Sequence, residues 1–240
     1  MNLTIDIGNT KIKLALFDRH NLVDFGSFLY GDESKILQWI QDRTFDKAIL
    51  SSVQMEEHPL VRSIIHETHA IRFDYKQSLP IQLNYRTPQT LGHDRIASMC
   101  GAISLYPNTN LFIVSAGSCV TYDILDANSV FQGGNIAPGM YMRWRAMHEF
   151  TGKLPMVHHQ DLEINKLIGQ STDEALQLGV LQGIGAEIDR YYSELSLKYT
   201  ELKLVITGGD AMVLKTFTKF AAIHQPHLVL IGLNQILDYI

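Results

Sequence analysis

Apolar and polar positions alternate from the start of the chain. "LTIDI" reads as a first strand, "GNT" as a turn, and "KIKLALF" as a second strand with Ile12, Leu14 and Leu16 on one side. "LVDFGSFLY" continues as a third strand. The period then lengthens. "DESKILQWIQDR" predicts a helix with Asp32 as a possible cap and Ile36, Leu37 and Ile40 on one face. "KAILSSV" is a short buried strand, "PLVRSIIHETH" a helix opened by Pro59, and "AIRFDY" another strand. From Pro80 to about Asp94 the text is polar and punctuated by proline, so it reads as a loop, and loops of that length are commonly functional or disordered. "RIASMCGAISLY" is helical.

After "PNTN" the pattern restarts. "LFIVSAG" and "SCVTYDILD" read as strands, and "SVFQGGNIAPG" as a strand running into a loop. Helices follow from about Tyr141 to Phe150 and from Thr172 to Lys198. "KLVITGG" is a strand closed by a glycine turn, followed by a helix, a strand at "HLVLIG" and a short helical tail. "TIDIGNTKIKLALFD" aligns with "IVSAGSCVTYDILD": Asp6 faces Ser115, Gly8 faces Gly117, and Thr10 falls one place beyond Ser118. The rhyme predicts a duplicated α/β fold, residues 1–108 and 109–240, with a cleft between halves. The bland alternative is that any two glycine-turn hairpins look alike.

Composition changes this picture little. Apolar residues make up 46% and charged residues 19%, as in a globular chain with ample core. A net charge of -5 argues against a general nucleic-acid binder. The two cysteines, Cys100 and Cys119, have no paired spacing, which fits a reducing compartment. The first residues lack the layout of a signal peptide, and no apolar run is long enough to span a bilayer, so a cytoplasmic protein without a membrane partner is expected.

Three stretches could carry chemistry. In "DIGNTKIK", Gly8 lets backbone N–H groups approach an anion, Asn9 and Thr10 add short donors, Lys13 adds a charge that reaches a phosphate, and Asp6 could hold Mg²⁺ directly or through water. A plain hairpin with a tight "GN" turn is the alternative. In "TGGD", Gly208 and Gly209 allow close approach of a nucleoside, or of a phosphate at the following helix, though a mere strand-to-helix turn reads the same way. In "YRTPQTLGHDR", Asp94 could act as general base toward a hydroxyl, Arg95 could clamp a carboxylate, and Tyr85 offers an aromatic with a polar tip. Here the alternative is a capped helix start with a surface ion pair. The histidines, "HETH" at 66–69 and the adjacent His158 and His159, lack metal-ligand spacing and read as surface or packing residues.

In order along the chain, "DIGNTKIK", "LGHDR", "VSAGSCVTYD", "FQGGNIAPGM", "GKLP", "GQSTDEALQLGV" and "VITGGD" resemble the type III pantothenate kinases. The resemblance implies two ribonuclease-H-like domains with ATP in the cleft, the actin-like ATPase fold of acetate and sugar kinases, Hsp70 and actin. It also implies a homodimer that phosphorylates pantothenate to 4′-phosphopantothenate, the first step toward coenzyme A. On this reading Asp6, Ile7, Gly8, Asn9, Thr10, Lys11, Ile12 and Lys13 form the first phosphate loop, with Asp6 on Mg²⁺. Ser118, Gly208 and Gly209 lie against ATP. Asp94 is the catalytic base, and Tyr85, Gly92, His93, Asp94, Arg95 and Thr172 line the pantothenate site.

Ser115 departs from the family pattern. An aspartate is usual there, and its carboxylate helps hold a potassium or ammonium ion. A serine oxygen can ligate potassium but brings no charge, and a unit charge at short range is worth roughly 1 to a few kcal/mol even when screened. Asp123 is a second carboxylate in the same hairpin. The expected activity is therefore a pantothenate kinase with altered monovalent-cation dependence. The alternatives are a catalytically weak relative acting as a binding or regulatory module, and a kinase for another hydroxylated acid.

Overall fold

In the computed structural model, β1 (Asn2–Ile7) and β2 (Lys11–Asp18) form the antiparallel hairpin that the first alternation predicts, with Asp6 opposite Lys13 and Ile7 opposite Ile12. The structure describes residues 1–52, 58–158 and 166–240. The chain continues through β3 (Asn21–Leu29), α1 (Glu33–Gln41), β4 (Lys47–Ser52), α2 (Pro59–Thr68), β5 (Ile71–Arg72), β6 (Gln82–Leu83) and α3 (His93–Leu105). A second hairpin follows, β7 (Leu111–Ala116) with β8 (Cys119–Leu125), and then β9 (Val130–Pro138), α4 (Met140–Glu149) and α5 (Thr172–Ser196). The remaining elements are β10 (Lys203–Thr207), α6 (Ala211–Lys215), β11 (Ala222–His224) and α7 (Leu228–Leu237). Val53, read as the end of a strand, and His159 lie outside the described residues.

The chain forms two units. The first comprises Met1–Asn108, Asn128–Phe131 and His227–Ile240; the second comprises Thr109–Ala127 and Gln132–Pro226. In the first, the sheet order is β3-β2-β1-β4-β5, with β4 parallel to β1 and β5 parallel to β4. In the second, it is β9-β8-β7-β10-β11, with β10 parallel to β7 and β11 parallel to β10. Counted from the leading hairpin, both sheets have the same order, as duplicated ribonuclease-H-like halves require. β6 pairs with the first residues of β9, Gln82 with Val130 and Leu83 with Phe131, within the first unit.

Each sheet obeys the two-residue period of a strand. In the second unit, Phe112, Val114, Ala116, Val120, Tyr122, Ile124, Leu204 and Ile206 share one core with α5 residues such as Leu181, Ile184 and Ile188. The alternate positions, Ser115, Thr121, Asp123 and Thr207, therefore occupy the opposite face. In the first unit, Leu3, Ile5, Ile7, Ile12, Leu14 and Leu50 pack with Ile36 and Ile40 of α1 and Leu60, Val61 and Ile64 of α2.

Two readings of the chain need correction. "HLVLIG" is no strand: the helix α7 starts at Leu228, and its Leu228, Leu230, Leu233, Ile236 and Leu237 are all buried. A short apolar run buried on every side has no period that tells helix from strand. The helix also crosses α3 very closely. A Cβ on Gly232 would stand 1.7 Å from the Ala97 carbonyl oxygen, and one on Gly101 2.4 Å from that of Leu228. The stretch 80–94 is not wholly loop, since it holds β6, a 3₁₀ turn (Pro88–Thr90) and the first turn of α3.

Candidate functional site

Asp6 is the penultimate residue of β1, only 8% exposed, in register with Lys13 on β2 and Ser51 on β4. Burial pushes its carboxyl up to about 6, against the pull of Lys13, and the negative charge of Asp94 pushes the same way. The structure thus brings both Lys13 and Asp94 within electrostatic reach of Asp6, although Asp94 lies far along the sequence. A desolvated carboxylate at a strand end, short of positive charge, is suited to a cation. Among the described residues no cluster of three or more His, Cys, Asp or Glu could cage a metal. Asp6 is the residue here that could hold Mg²⁺, an ion that binds through one or two carboxylates plus substrate phosphates.

Between β1 and β2 the turn exposes Asn9, Thr10 and Lys11, while Ile7 and Ile12 are fully buried. The Gly8 N–H donates to the Lys11 carbonyl at 3.1 Å, closing the turn, and the Tyr30 hydroxyl donates to the Gly8 carbonyl.

Asp94 lies in the first turn of α3, exposed, with Gly92 at the N-cap. A Cβ on Gly92 would fall 2.5 Å from Asp94 Oδ1, so the carboxylate folds back over the cap residue into space that glycine leaves open. The neighbouring Arg95 is 4% exposed, with its guanidinium 5.7 Å from the centre of the Phe131 ring. The half-buried Tyr85 meets the other part of this cluster, its ring 5.5 Å from Phe131. His93 packs on Phe73 at 5.0 Å, and burial lowers its imidazole pKa, outweighing the opposite pull of Asp74. Tyr85 and Arg95 are therefore gathered by Phe131, a fully buried residue that sequence reasoning missed.

In the second unit, Ser115 is the penultimate residue of β7, opposite Thr121 and beside Thr207. Its Oγ is buried with no hydrogen-bond partner. Asp123, 1% exposed, stands on the same sheet face two pairs along, opposite Ile113, and its Oδ2 accepts from the Thr121 hydroxyl at 3.0 Å. An orphaned buried hydroxyl with a buried carboxylate nearby is an oxygen set of the kind that a monovalent cation takes.

The turn after Ser115 is held by backbone from two other motifs. The Gly117 N–H bonds the Cys119 carbonyl and the Gly139 N–H bonds the Ser118 carbonyl, both at 3.0 Å. A Cβ on Gly139 would lie 2.1 Å from the Gly117 oxygen. Gly208, at φ +99°, comes so close to the Ala116 carbonyl that a Cβ there would also lie 2.1 Å away. Gly209 faces open space, and the helix after it is only five residues long. "VSAGSCVTYD", "NIAPGM" and "VITGGD" thus converge on one turn.

Thr172 opens α5 behind Ser171, whose side chain accepts from the Glu174 N–H. It lines a cavity of about 580 Å³ with Arg143, Met147, Leu154, Leu176 and Val180, none of which belongs to the Ser115 turn. Arg143 makes two bonds to Glu187, at 2.8 and 2.7 Å, and the Tyr122 hydroxyl joins the same carboxylate at 2.6 Å.

Comparison with known proteins bears on the fold and the family of the chain. The activator of 2-hydroxyisocaproyl-CoA dehydratase from Clostridium difficile, solved with ADPNP, matches over 99% of this chain and 95% of its own, with a TM-score of 0.57 at 13% identity. A ROK family glucokinase from Streptomyces griseus matches over 98% of both chains, with a TM-score of 0.54 at 10% identity. These likenesses establish the fold as the actin-like ATPase fold. The type III pantothenate kinase of Porphyromonas gingivalis is 39% identical over 243 residues, 99% of this chain and 98% of its own. That of Bacteroides fragilis is 38% identical over 244 residues, all of this chain and 98% of its own. The sequence model for type III pantothenate kinases matches residues 2–194, and the chain belongs to that family.

Proposed function

We propose that the protein is a pantothenate kinase that transfers the γ-phosphoryl group of ATP to pantothenate, giving 4′-phosphopantothenate and ADP. The observation that carries the reading is the buried Asp6 beside a glycine turn, in register with Lys13 and within reach of the Asp94 charge, in a chain of this family. Asp94 takes the proton of the substrate hydroxyl as its oxygen bonds to the γ-phosphorus, and the broken bond leaves its electrons on ADP. Arg95, braced on Phe131, pairs with the pantothenate carboxylate, and Tyr85, Gly92, His93 and Thr172 complete the contacts. Asn9, Thr10, Lys11 and Lys13 receive phosphates through side chains, while Ile7, Gly8 and Ile12 fix the backbone of the loop. Ser118 gives its hydroxyl to ATP, and Gly208 and Gly209 lie beside the nucleoside. Asp6 would hold Mg²⁺ directly or through water, and the ion would supply charge neutralisation to the phosphates.

The monovalent-cation position, in this reading, is Ser115, with Asp123 providing the negative charge that the serine lacks. We assign the duplicated halves to residues 1–108 and 109–240 and the working form to a cytoplasmic homodimer. Exposed Tyr141, Met142, Phe150, Leu167 and Ile168 in the second unit support the dimer, as apolar surface that a second copy would cover. No described helix is long and apolar enough to cross a membrane.

A coupled ADP-release assay with pantothenate, run with and without potassium, tests the proposal. Turnover that rises with potassium is expected, and Asp123→Asn should remove most of that stimulation. No turnover with any cation, together with tight pantothenate binding, would instead favour a binding or regulatory module.

A further inference from the structure

The backbone donors of the first turn are only as well aimed as the peptide plane that carries them. A trans peptide sends its C=O and N–H to opposite sides. Gly8 is the residue least able to fix that plane by itself, because no Cβ restricts its torsions. Two bonds fix the planes on either side of it: the Gly8 N–H to the Lys11 carbonyl holds the Ile7–Gly8 peptide, and the Tyr30 hydroxyl to the Gly8 carbonyl holds the Gly8–Asn9 peptide. The second settles where the Asn9 N–H points, since Asn9 shares the peptide with that carbonyl.

Tyr30 is itself well supported. It follows the last residue of β3, and its ring packs on the core of the first unit. The His58 ring at the start of α2 meets it edge-on, 6.2 Å away at 70°. The hydroxyl is thus presented by a braced side chain.

We propose that Tyr30 is a positioning residue for the nucleotide. By holding the Gly8 carbonyl it turns the Asn9 N–H away from the aromatic ring and toward the exposed side of the turn, where a phosphate is received. Tyr30 touches neither substrate. The inference rests on the first hairpin being the phosphate loop.

Tyr30→Phe keeps the ring and deletes the bond. Melting temperature within about 2 °C of the parent is expected, with the KM for ATP raised about three- to tenfold, the size of one neutral hydrogen bond, and the KM for pantothenate within about twofold. In amide NMR, Mg·ADP should shift the Asn9 N–H strongly in the parent and weakly in the variant. An ADP response at Asn9 that survives in Tyr30→Phe, or equal rises in both KM values, would overturn the role of Tyr30 alone. A parent protein showing no ADP response at any of residues 6–13 would overturn the phosphate-loop reading with it.

Discussion

The β1–β2 hairpin places Asp6 opposite Lys13 at the point where the β7–β8 hairpin places Ser115 opposite Thr121. The parallel neighbours follow suit, Ser51 in one unit and Thr207 in the other. Strand order, register and the glycine after each leading strand are shared, so these belong to the duplicated scaffold. The charge is not. One hairpin ends in a buried carboxylate opposite a lysine, which burial pushes toward its neutral form; the other ends in hydroxyls, with the Asp123 carboxylate on the same face. The turns also differ in what holds them. A side chain, Tyr30, clamps the first, whereas Gly139 and Gly208 press backbone against the second.

The largest effect is expected from removing the carboxylate that only the first hairpin carries at the penultimate position of its leading strand. Asp6→Asn should lower kcat/KM at least about a hundredfold, on the scale of losing preorganised charge at the transferring phosphoryl group. The same variant should change how stability responds to pH. With the folded carboxyl raised to about 6 from an ordinary 3.8, the folded state holds the proton over a window in which the unfolded chain has released it. Stability conferred by this group therefore falls as pH rises from about 4 to about 6, by about 3 kcal/mol in all. Urea unfolding of the ligand-free protein at pH 5 and pH 7.5 should show Asp6→Asn gaining on the parent at the higher pH. Equal differences at both would contradict a buried, penalised carboxylate.

Next in size is the contrast between glycines. Gly208→Ala meets both an unfavourable φ and a carbonyl at 2.1 Å, and should lower the melting temperature by at least about 5 °C. Gly8→Ala, whose Cβ would sit 3.3 Å from the Lys11 oxygen, should shift it far less. A reversal of that order would mean that the second turn is not buttressed by backbone. The smallest effect is that of restoring the missing charge. Ser115→Asp should lower the potassium concentration for half-maximal activity several-fold, and an unchanged value would show that Ser115 does not face the cation.

Much of this was legible in the chain. The two hairpins, the glycine that ends each leading strand, and the long α5 all follow from period and turn chemistry, because those signals are local. The same holds for Asp94 near the start of α3, where "LGHD" marks a helix entrance. Phe131 was not legible, since an apolar residue in a strand gives no sign that it will hold Tyr85 and Arg95 from another part of the chain. Tyr30 was hidden for the same reason: its partner is a backbone carbonyl, which every residue carries. The placement of Asp123 needed the β7–β8 register, and one sequence does not reveal it.

The return of α7 to the first unit bears on how the protein is made. Asn2 and Asn234 bond side chain to side chain, Asn234 also bonds the Arg19 carbonyl, and Leu230 packs with Ala15 and Phe17. A ribosome delivers β1 and β2 early, yet their covering helix emerges only after Gln132–Pro226 has been synthesised. Until then one flank of the first sheet lacks its cover, while the second unit has all of its own strands and can close first. Nascent chains halted just before His227 should therefore protect the second core from protease sooner than the first, reversing the order in which the two were translated.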